Sequence, residues 1–330
     1  MKALVTGGCG FIGSNLVHRL VRDGWEVEVV DDLSNGHLDH LDPLRVRCLN
    51  SAISKFYSKE EDSREPEVIV YTTDFCDVSI AAKILNKNYD FIFHLAANPR
   101  VGYCVENPVT TTETNFSKMV ELMGYAVNNT RRFVMASTSA IYGDPQGQLP
   151  TPETASPNPS SPYGLQKLCC EQFGEMFSDL YALDTVFLRL FNAYGPRQFG
   201  DSPYSTAVSA WCDKIKNNLP LRSDGDGEQT RDMVYVDDIV DAFMLAAERD
   251  KDFGGKILNV GTGSRLSNNS ILSILKEKFE NIEITHAPVR IGDVRDTQAD
   301  ISIVAEELNW KPKHSFRTGL EKTLNWWDLK

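Results

Sequence analysis

A phenol and an ammonium stand four residues apart in Tyr163-Gly-Leu-Gln-Lys167, inside a stretch whose pattern predicts a long helix over about 162–182. Positions i and i+4 share a helix face. A tyrosine with its ordinary pKa of roughly 10 is a poor base at neutral pH. A neighbouring cation favours the phenolate, and a phenolate can take a proton from a substrate hydroxyl. Ser137-Thr138-Ser139 directly follows an apolar run, Arg132-Phe-Val-Met-Ala136. A hydroxyl at the end of such a strand faces the crevice where open α/β sheets bind ligands, and can hold the reacting oxygen. Together these groups fit hydride chemistry at an alcohol.

The hydride partner has its own signature at the start of the chain. Lys2-Ala-Leu-Val-Thr6 is long enough for a buried parallel strand. Gly7-Gly-Cys-Gly10-Phe11-Ile12-Gly13 follows at once, then helical periodicity over 14–23 with Gly24 as its stop. Glu26-Val-Glu-Val-Val30 reads as a second strand, closed by Asp31-Asp32. Strand, glycine turn, helix, strand and acid make a dinucleotide-binding unit, here with the spacing G-x-x-G-x-x-G. Glycines let the backbone approach a pyrophosphate, and the helix N-terminus offers it free N–H groups. Asp31 suits the adenosine ribose hydroxyls and repels a 2′-phosphate, so NAD is expected rather than NADP.

Further elements must position these groups. Strands are predicted at 68–72, 90–96, 132–136 and 185–190, with helices at about 78–87, 111–128 and 162–182. This alternation predicts an α/β fold: a Rossmann-type, doubly wound parallel sheet covered on both faces. The charged stretch 51–66 reads as a strand-poor surface excursion, and the proline-rich stretch 144–162 as an active-site loop. The alternation weakens from about 196. We therefore expect residues 1–190 to form the cofactor domain, rejoined by the chain around 236–261, with 191–330 mainly a smaller C-terminal substrate-binding lobe.

Bulk properties narrow the partners. With 34 basic and 46 acidic residues the formal charge is −12, which argues against a nucleic-acid surface. No apolar run approaches membrane-spanning length, and no signal peptide precedes the first strand. The 7 cysteines form no C-x-x-C pair and the 6 histidines show no metal spacing. Reduced thiols, a cytoplasmic location and no metal are expected.

At this point the sequence resembles the extended short-chain dehydrogenase/reductase family, specifically its nucleotide-sugar 4-epimerases, over nearly the whole chain. Gly7, Gly10, Gly13 and Asp31-Asp-Leu-Ser-Asn35-Gly36 match its NAD site, as do the Asp74-Phe75 pair and the strand His94-Leu-Ala96-Ala97. Thr138, four residues before Tyr142-Gly143, falls on the family's catalytic Ser/Thr, and Tyr163 and Lys167 on its Tyr and Lys. Leu188-Arg-Leu-Phe-Asn192 carries a substrate-binding Asn. Gly225-Asp-Gly-Glu-Gln-Thr-Arg231 carries an arginine for the nucleotide diphosphate. Arg290-Ile-Gly-Asp293 carries an Arg and an Asp for phosphate and ribose.

The resemblance implies oxidation and re-reduction at C4 of the sugar, with NAD regenerated each turn and held as a prosthetic group. Family dehydratases, and also decarboxylases, place a glutamate in the loop after the catalytic Thr. Here Ser139-Ala140 stands there, which favours epimerisation over those alternatives. A different epimerase on the same frame, or a non-catalytic NAD- or nucleotide-sugar-binding protein, is the remaining competitor; loss of Tyr163 or Lys167 would mark the latter, and both are present. Asn98-Pro-Arg100-Val101 and Ser202-Pro-Tyr-Ser-Thr206-Ala207-Val-Ser-Ala-Trp211 resemble epimerases of UDP-N-acetylhexosamines. Thr297 replaces a tyrosine that crowds the sugar C2 substituent in enzymes limited to simple hexoses. The substrate is therefore expected among UDP-glucose, UDP-galactose and their N-acetylated counterparts. Relatives pair the helices at about 111–128 and 162–182 into a dimer contact, so a homodimer is expected.

Overall fold

The computed structural model describes the chain except residues 50–53, 58–66, 146, 201–205, 281, 290–293 and 330. Strands β1 (Lys2–Thr6), β2 (Glu26–Val30), β3 (Val46–Leu49), β4 (Ser54–Tyr57), β5 (Val68–Tyr71), β6 (Phe91–His94), β7 (Arg132–Thr138) and β8 (Thr185–Leu190) build one sheet with a later strand, Lys256–Val260. That strand pairs parallel with β8, and the full order is Lys256–Val260, β8, β7, β6, β1, β2, β5, β3, β4. Among the described residues of this sheet, only the outermost pair, β3 with β4, is antiparallel. Strands β6 and β8 are buried at every position, the mark of a parallel sheet covered on both faces.

The chain leaves β1 toward β2 on one side and resumes at β6 on the other. Thr6 lies level with Val30 of β2 and His94 of β6, so a crevice opens beyond these three strand ends. Helix α1 (Phe11–Arg22) starts in that crevice, and Gly24 follows it with φ +80°. Helix α2 (Val78–Leu85) matches its expected place.

Two sequence expectations need correction. Strand β4 lies within the stretch read as strand-poor, and β3 precedes it; the rest of 51–66 lies outside the described residues. Charged residues in the sequence of these short strands, here Arg47 and Lys55, hide the alternation that marks a strand. The helix expected over 111–128 is present to residue 126, but it starts earlier and carries a π-turn. After a short helix, α3 (Val101–Glu106), come α4 (Pro108–Thr112), a π-helical turn over Glu113–Ser117 and α5 (Lys118–Ala126). The long helix α6 (Pro162–Tyr181) is continuous.

The remaining chain forms α7 (Ala207–Lys216), α8 (Val236–Glu248), α9 (Asn268–Lys278), α10 (Ser302–Leu308) and α11 (Phe316–Trp326), with short strand pairs between them. A second core gathers Tyr194, Trp211, Leu221, Tyr235, Leu275 and Leu324. Phe11 and Ile12, at the start of α1, pack against it, so the glycine turn meets this lobe directly. Among the described residues no helix is long and apolar enough to cross a membrane.

Candidate active site

The glycine turn is shaped by contact. Gly7 has φ +71°, and a Cβ there would stand 2.7 Å from the Ala96 nitrogen. A Cβ on Gly13 would come within 2.1 Å of the Gly7 carbonyl oxygen, so α1 sits on the turn with no room for a side chain. Gly10 closes the turn by donating to the Gly7 carbonyl at 3.1 Å. Asp31 is buried at the end of β2, where Oδ2 accepts from the Cys9 N–H at 2.8 Å and Oδ1 from the Leu33 N–H at 2.9 Å. Burial pushes its carboxyl up, and these two hydrogen bonds oppose that. Each oxygen keeps acceptor capacity for a ribose hydroxyl. Gly36 is buried beside this carboxylate, and half-buried Asn35 donates to the Ser34 hydroxyl at 3.3 Å.

Asp74 accepts from the Cys76 N–H at 2.8 Å and from Lys118 Nζ at 2.7 Å, which ties the loop after β5 to α5. The Phe75 ring meets the His94 ring edge-on at 5.1 Å. His94 is fully buried and bonded through Nδ1 to the Thr6 hydroxyl at 2.8 Å; burial first, then the Lys167 charge, holds it far below the usual histidine range. Thr6 Oγ1 also accepts from the Ala96 N–H at 3.2 Å, placing half-buried Ala96 and Ala97 along the floor of the crevice. The residues present thus fit a dinucleotide: a turn without room for Cβ atoms, a helix N-terminus, and a buried carboxylate at the ribose position.

Thr138 ends β7, and its Oγ1 accepts from the Ala140 N–H at 3.1 Å. Tyr163 lies in the first turn of α6, fixed by Pro162 at N1 and by the Ser161 cap, which accepts from the Gly164 N–H at 3.2 Å. Burial pushes the Tyr163 phenol up, the Cys104 thiol adds to this, and a hydrogen bond with Thr138 opposes it. Lys167 is buried, and burial lowers its pKa. Its Nζ donates to the Ala136 carbonyl at 2.9 Å. The sequence reading has the ammonium bringing the phenol down; here the phenol is pushed up, because burial outweighs the Thr138 hydrogen bond.

The opposite wall comes from the lobe. Asn192 opens a short strand, Asn192–Tyr194, and its Oδ1 accepts from the Thr297 hydroxyl at 3.2 Å. Thr297 lines a small cleft with Ser139, Tyr142, Phe191 and Asp296. Buried Asp232 anchors this segment, accepting from the N–H groups of Thr262 at 2.7 Å, Gly263 at 3.0 Å and Ala299 at 3.0 Å. The neighbouring Arg231 donates to the carbonyls of Thr230 at 2.9 Å and Arg295 at 3.2 Å. Arg100 sits half-buried before α3, its N–H on Asn98 Oδ1 at 3.2 Å. Thr206 is exposed ahead of α7, its hydroxyl on Gln198 Oε1 at 3.1 Å, and Ala207 begins that helix. Arg290 and Asp293 lie outside the described residues. The structure corrects Trp211: it is 2 % exposed, packed in the lobe core, and its indole N–H is spent on the Arg222 carbonyl at 2.9 Å. Its position supports packing instead of substrate contact.

The model of the NAD dependent epimerase/dehydratase family matches residues 3–261. The chain belongs to that family. It is 34% identical to the UDP-glucose 4-epimerase of Mycolicibacterium smegmatis, over 100% of this chain and 99% of the relative. Among solved structures it is similar to the UDP-glucose 4-epimerase of Thermotoga maritima with UDP-glucose, at 33% identity and TM-score 0.88, covering 99% of each chain. It is also similar to the UDP-N-acetylglucosamine 4-epimerase of Methanobrevibacter ruminantium in complex with UDP-N-acetylmuramic acid. There the identity is 30% and the TM-score 0.86, covering 99% of this chain and 98% of the other. NAD is the cofactor of this epimerase/dehydratase chain.

Sequence reasoning missed part of the scaffold around the epimerase/dehydratase site. Asn115, in the π-turn, is buried; its Nδ2 donates to Gln166 Oε1 at 2.8 Å and its Oδ1 accepts from the Asn98 N–H at 2.7 Å. Gln166, between Tyr163 and Lys167, donates in turn to the hydroxyls of Thr111 at 3.1 Å and Thr112 at 3.0 Å. The π-turn swings one amide inward to join α6 to the Asn98 loop, a common use of such turns at functional sites.

Proposed function

We propose that this protein interconverts C4 epimers of a UDP-hexose or UDP-N-acetylhexosamine, using NAD as a resident cofactor. The observation that carries the reading is the convergence of Thr138 and Tyr163 at the crevice, with Ser139-Ala140 where water elimination or decarboxylation would call for a carboxylate. When bound, NAD supplies a reversible acceptor for the C4 hydrogen. Thr138 orients O4, and Tyr163 takes the O4 proton as the 4-keto sugar forms, then returns it after the sugar has turned over. Burial pushes the Tyr163 phenol up, so the Thr138 hydrogen bond and the Lys167 ammonium one turn away are this chain's means of favouring phenolate.

Residues 1–190 and the returning segment 236–261 are read as the cofactor domain, and the rest of 191–330 as the lobe that grips the nucleotide. Arg231 and Arg290 suit the diphosphate. Asp293 suits the ribose, and Asn192, Arg100, Thr206 and Ala207 the sugar and base. The UDP assignment is supported by the relatives, and small Thr297 beside Asn192 supports room for a C2 acetamido group. A homodimer is supported by the exposed Val105, Val109, Leu165, Met176 and Leu180, which spread across α3, α4 and α6. Seven unpaired thiols support a reducing, cytoplasmic setting.

Purified protein is to be incubated separately with UDP-Glc, UDP-Gal, UDP-GlcNAc and UDP-GalNAc and followed by proton NMR. Interconversion within the simple pair, the N-acetylated pair or both is expected. A 4-keto-6-deoxy product, or no change in any of the four, would overturn the reading.

A further inference from the structure

Behind the crevice lies an ion pair that the proposed chemistry does not use. Glu171 and Arg189 are 1 % and 2 % exposed. Arg189 Nε donates to Glu171 Oε1 at 2.9 Å and Nη2 to Oε2 at 2.6 Å, a two-pronged pairing. Two further contacts lead from this pair to elements of the site, and its place on α6 gives a third link. The Ser137 hydroxyl, next to Thr138, donates to Glu171 Oε1 at 2.5 Å. Glu171 itself sits one turn beyond Lys167 and two beyond Tyr163 on α6. The Arg189 guanidinium lies 4.7 Å from the centre of the Tyr142 ring, and Tyr142 lines the cleft with Ser139 and Thr297. The far end of Tyr142 is pinned as well, its hydroxyl donating to Asn259 Oδ1 at 2.7 Å.

A buried ion pair is weak evidence of stabilisation, since well-packed apolar residues commonly serve as well in its place. What such a pair offers is a fixed geometry. Here one carboxylate and one guanidinium meet the strand end carrying Thr138, the helix carrying Tyr163 and Lys167, and the aromatic wall of the cleft. We infer that Glu171 and Arg189 are positioning residues: they hold the Thr138 oxygen, the Tyr163 phenol and the Tyr142 wall in mutual register for the reaction. The inference rests on the active site proposed above.

The test is the double variant E171M/R189M, purified with its bound NAD, beside wild type. Its melting temperature and NAD content should stay close to wild type. Its kcat should fall about 100-fold, the cost of a misplacement near 1 Å, with KM for the nucleotide sugar little changed. A folded, NAD-loaded double variant with wild-type kcat would overturn the inference, as would a loss confined to KM. If that variant fails to fold, R189K and S137A replace it. R189K keeps the charge and loses the planar fork, S137A removes a single hydrogen bond, and wild-type kcat in both would equally overturn the inference. A crystal structure of either R189K or the double variant gives a readout independent of turnover: the Tyr142 ring should move from its place, and an unmoved ring counts against the pair. Inactivity of the wild type on all four sugars would instead refute the proposed function, and the ring position would still decide the role of the pair.

Discussion

At the scale of single residues, the proposed reaction assigns the phenol of Tyr163 as the proton acceptor at O4. Tyr163→Phe should keep the fold and the bound NAD but lower kcat by about 10²–10⁴-fold, the usual worth of a positioned general base. Turnover near wild type, with NAD content verified, would remove Tyr163 from that role. Thr297, the proposed gate, sits in the cleft with Ser139 and Phe191 and is hydrogen-bonded to Asn192. Thr297→Tyr should selectively suppress the N-acetylated pair, since overpacking commonly costs about 1–3 kcal/mol, or roughly tenfold or more in kcat/KM. Equal loss on simple and N-acetylated sugars would show that Thr297 is no gate. Tyr163, Lys167, Asp31 and the glycines stand out as candidates in the sequence because local spacing marks them. Trp211 was misread because an aromatic beside a binding segment looks the same whether it faces a ligand or a core.

At the scale of elements, the close seating of α1 on the glycine turn predicts that the proposed cofactor site is brittle. Gly13→Ala places a methyl 2.1 Å from the Gly7 carbonyl oxygen, with the Gly7 carbonyl carbon and Gly8 Cα each at 2.9 Å. The contacts are backbone and cannot swing aside. The variant should purify depleted of NAD while its sheet still forms, measured as NAD released on denaturation against far-ultraviolet circular dichroism. Full NAD content would contradict this account of the turn. Strands β1, β2, β5, β6, β7 and β8 were legible as apolar runs between glycines and acids. The edge pair β3 and β4 was not, because an edge needs only one apolar face. Nor was the π-turn within the helix over 111–128, since such a turn is set by where Asn115 finds partners, and those lie at Asn98 and Gln166. The Glu171–Arg189 pair was hidden for the same reason: it joins α6 to β8, and its meaning depends on a third strand.

At the scale of the whole molecule, histidines wholly or partly withdrawn from water are predicted to set an acid limit. Burial lowers the pKa of His18 and His94, and brings His40 to about 4 from an ordinary 6.5. A folded pKa below the unfolded one means that the unfolded chain takes up protons first on acidification. Stability from these groups is therefore complete above about pH 6.5 and is lost as pH falls toward the folded values. The cost is on the order of 1 kcal/mol per pH unit for each histidine. The melting temperature should fall between pH 6.5 and 5, and His40→Gln should flatten that fall; an unchanged slope in the variant would assign the acid limit to other groups. Above this sits the central claim, that one crevice between sheet and lobe removes hydrogen from C4 and returns it to the other face. The most direct measurement follows UDP-sugar deuterated at C4 through turnover in ordinary water, with NMR and mass spectrometry of the product. We predict the C4 epimer with deuterium retained at C4. Deuterium lost to solvent, or found at another carbon, would contradict the account.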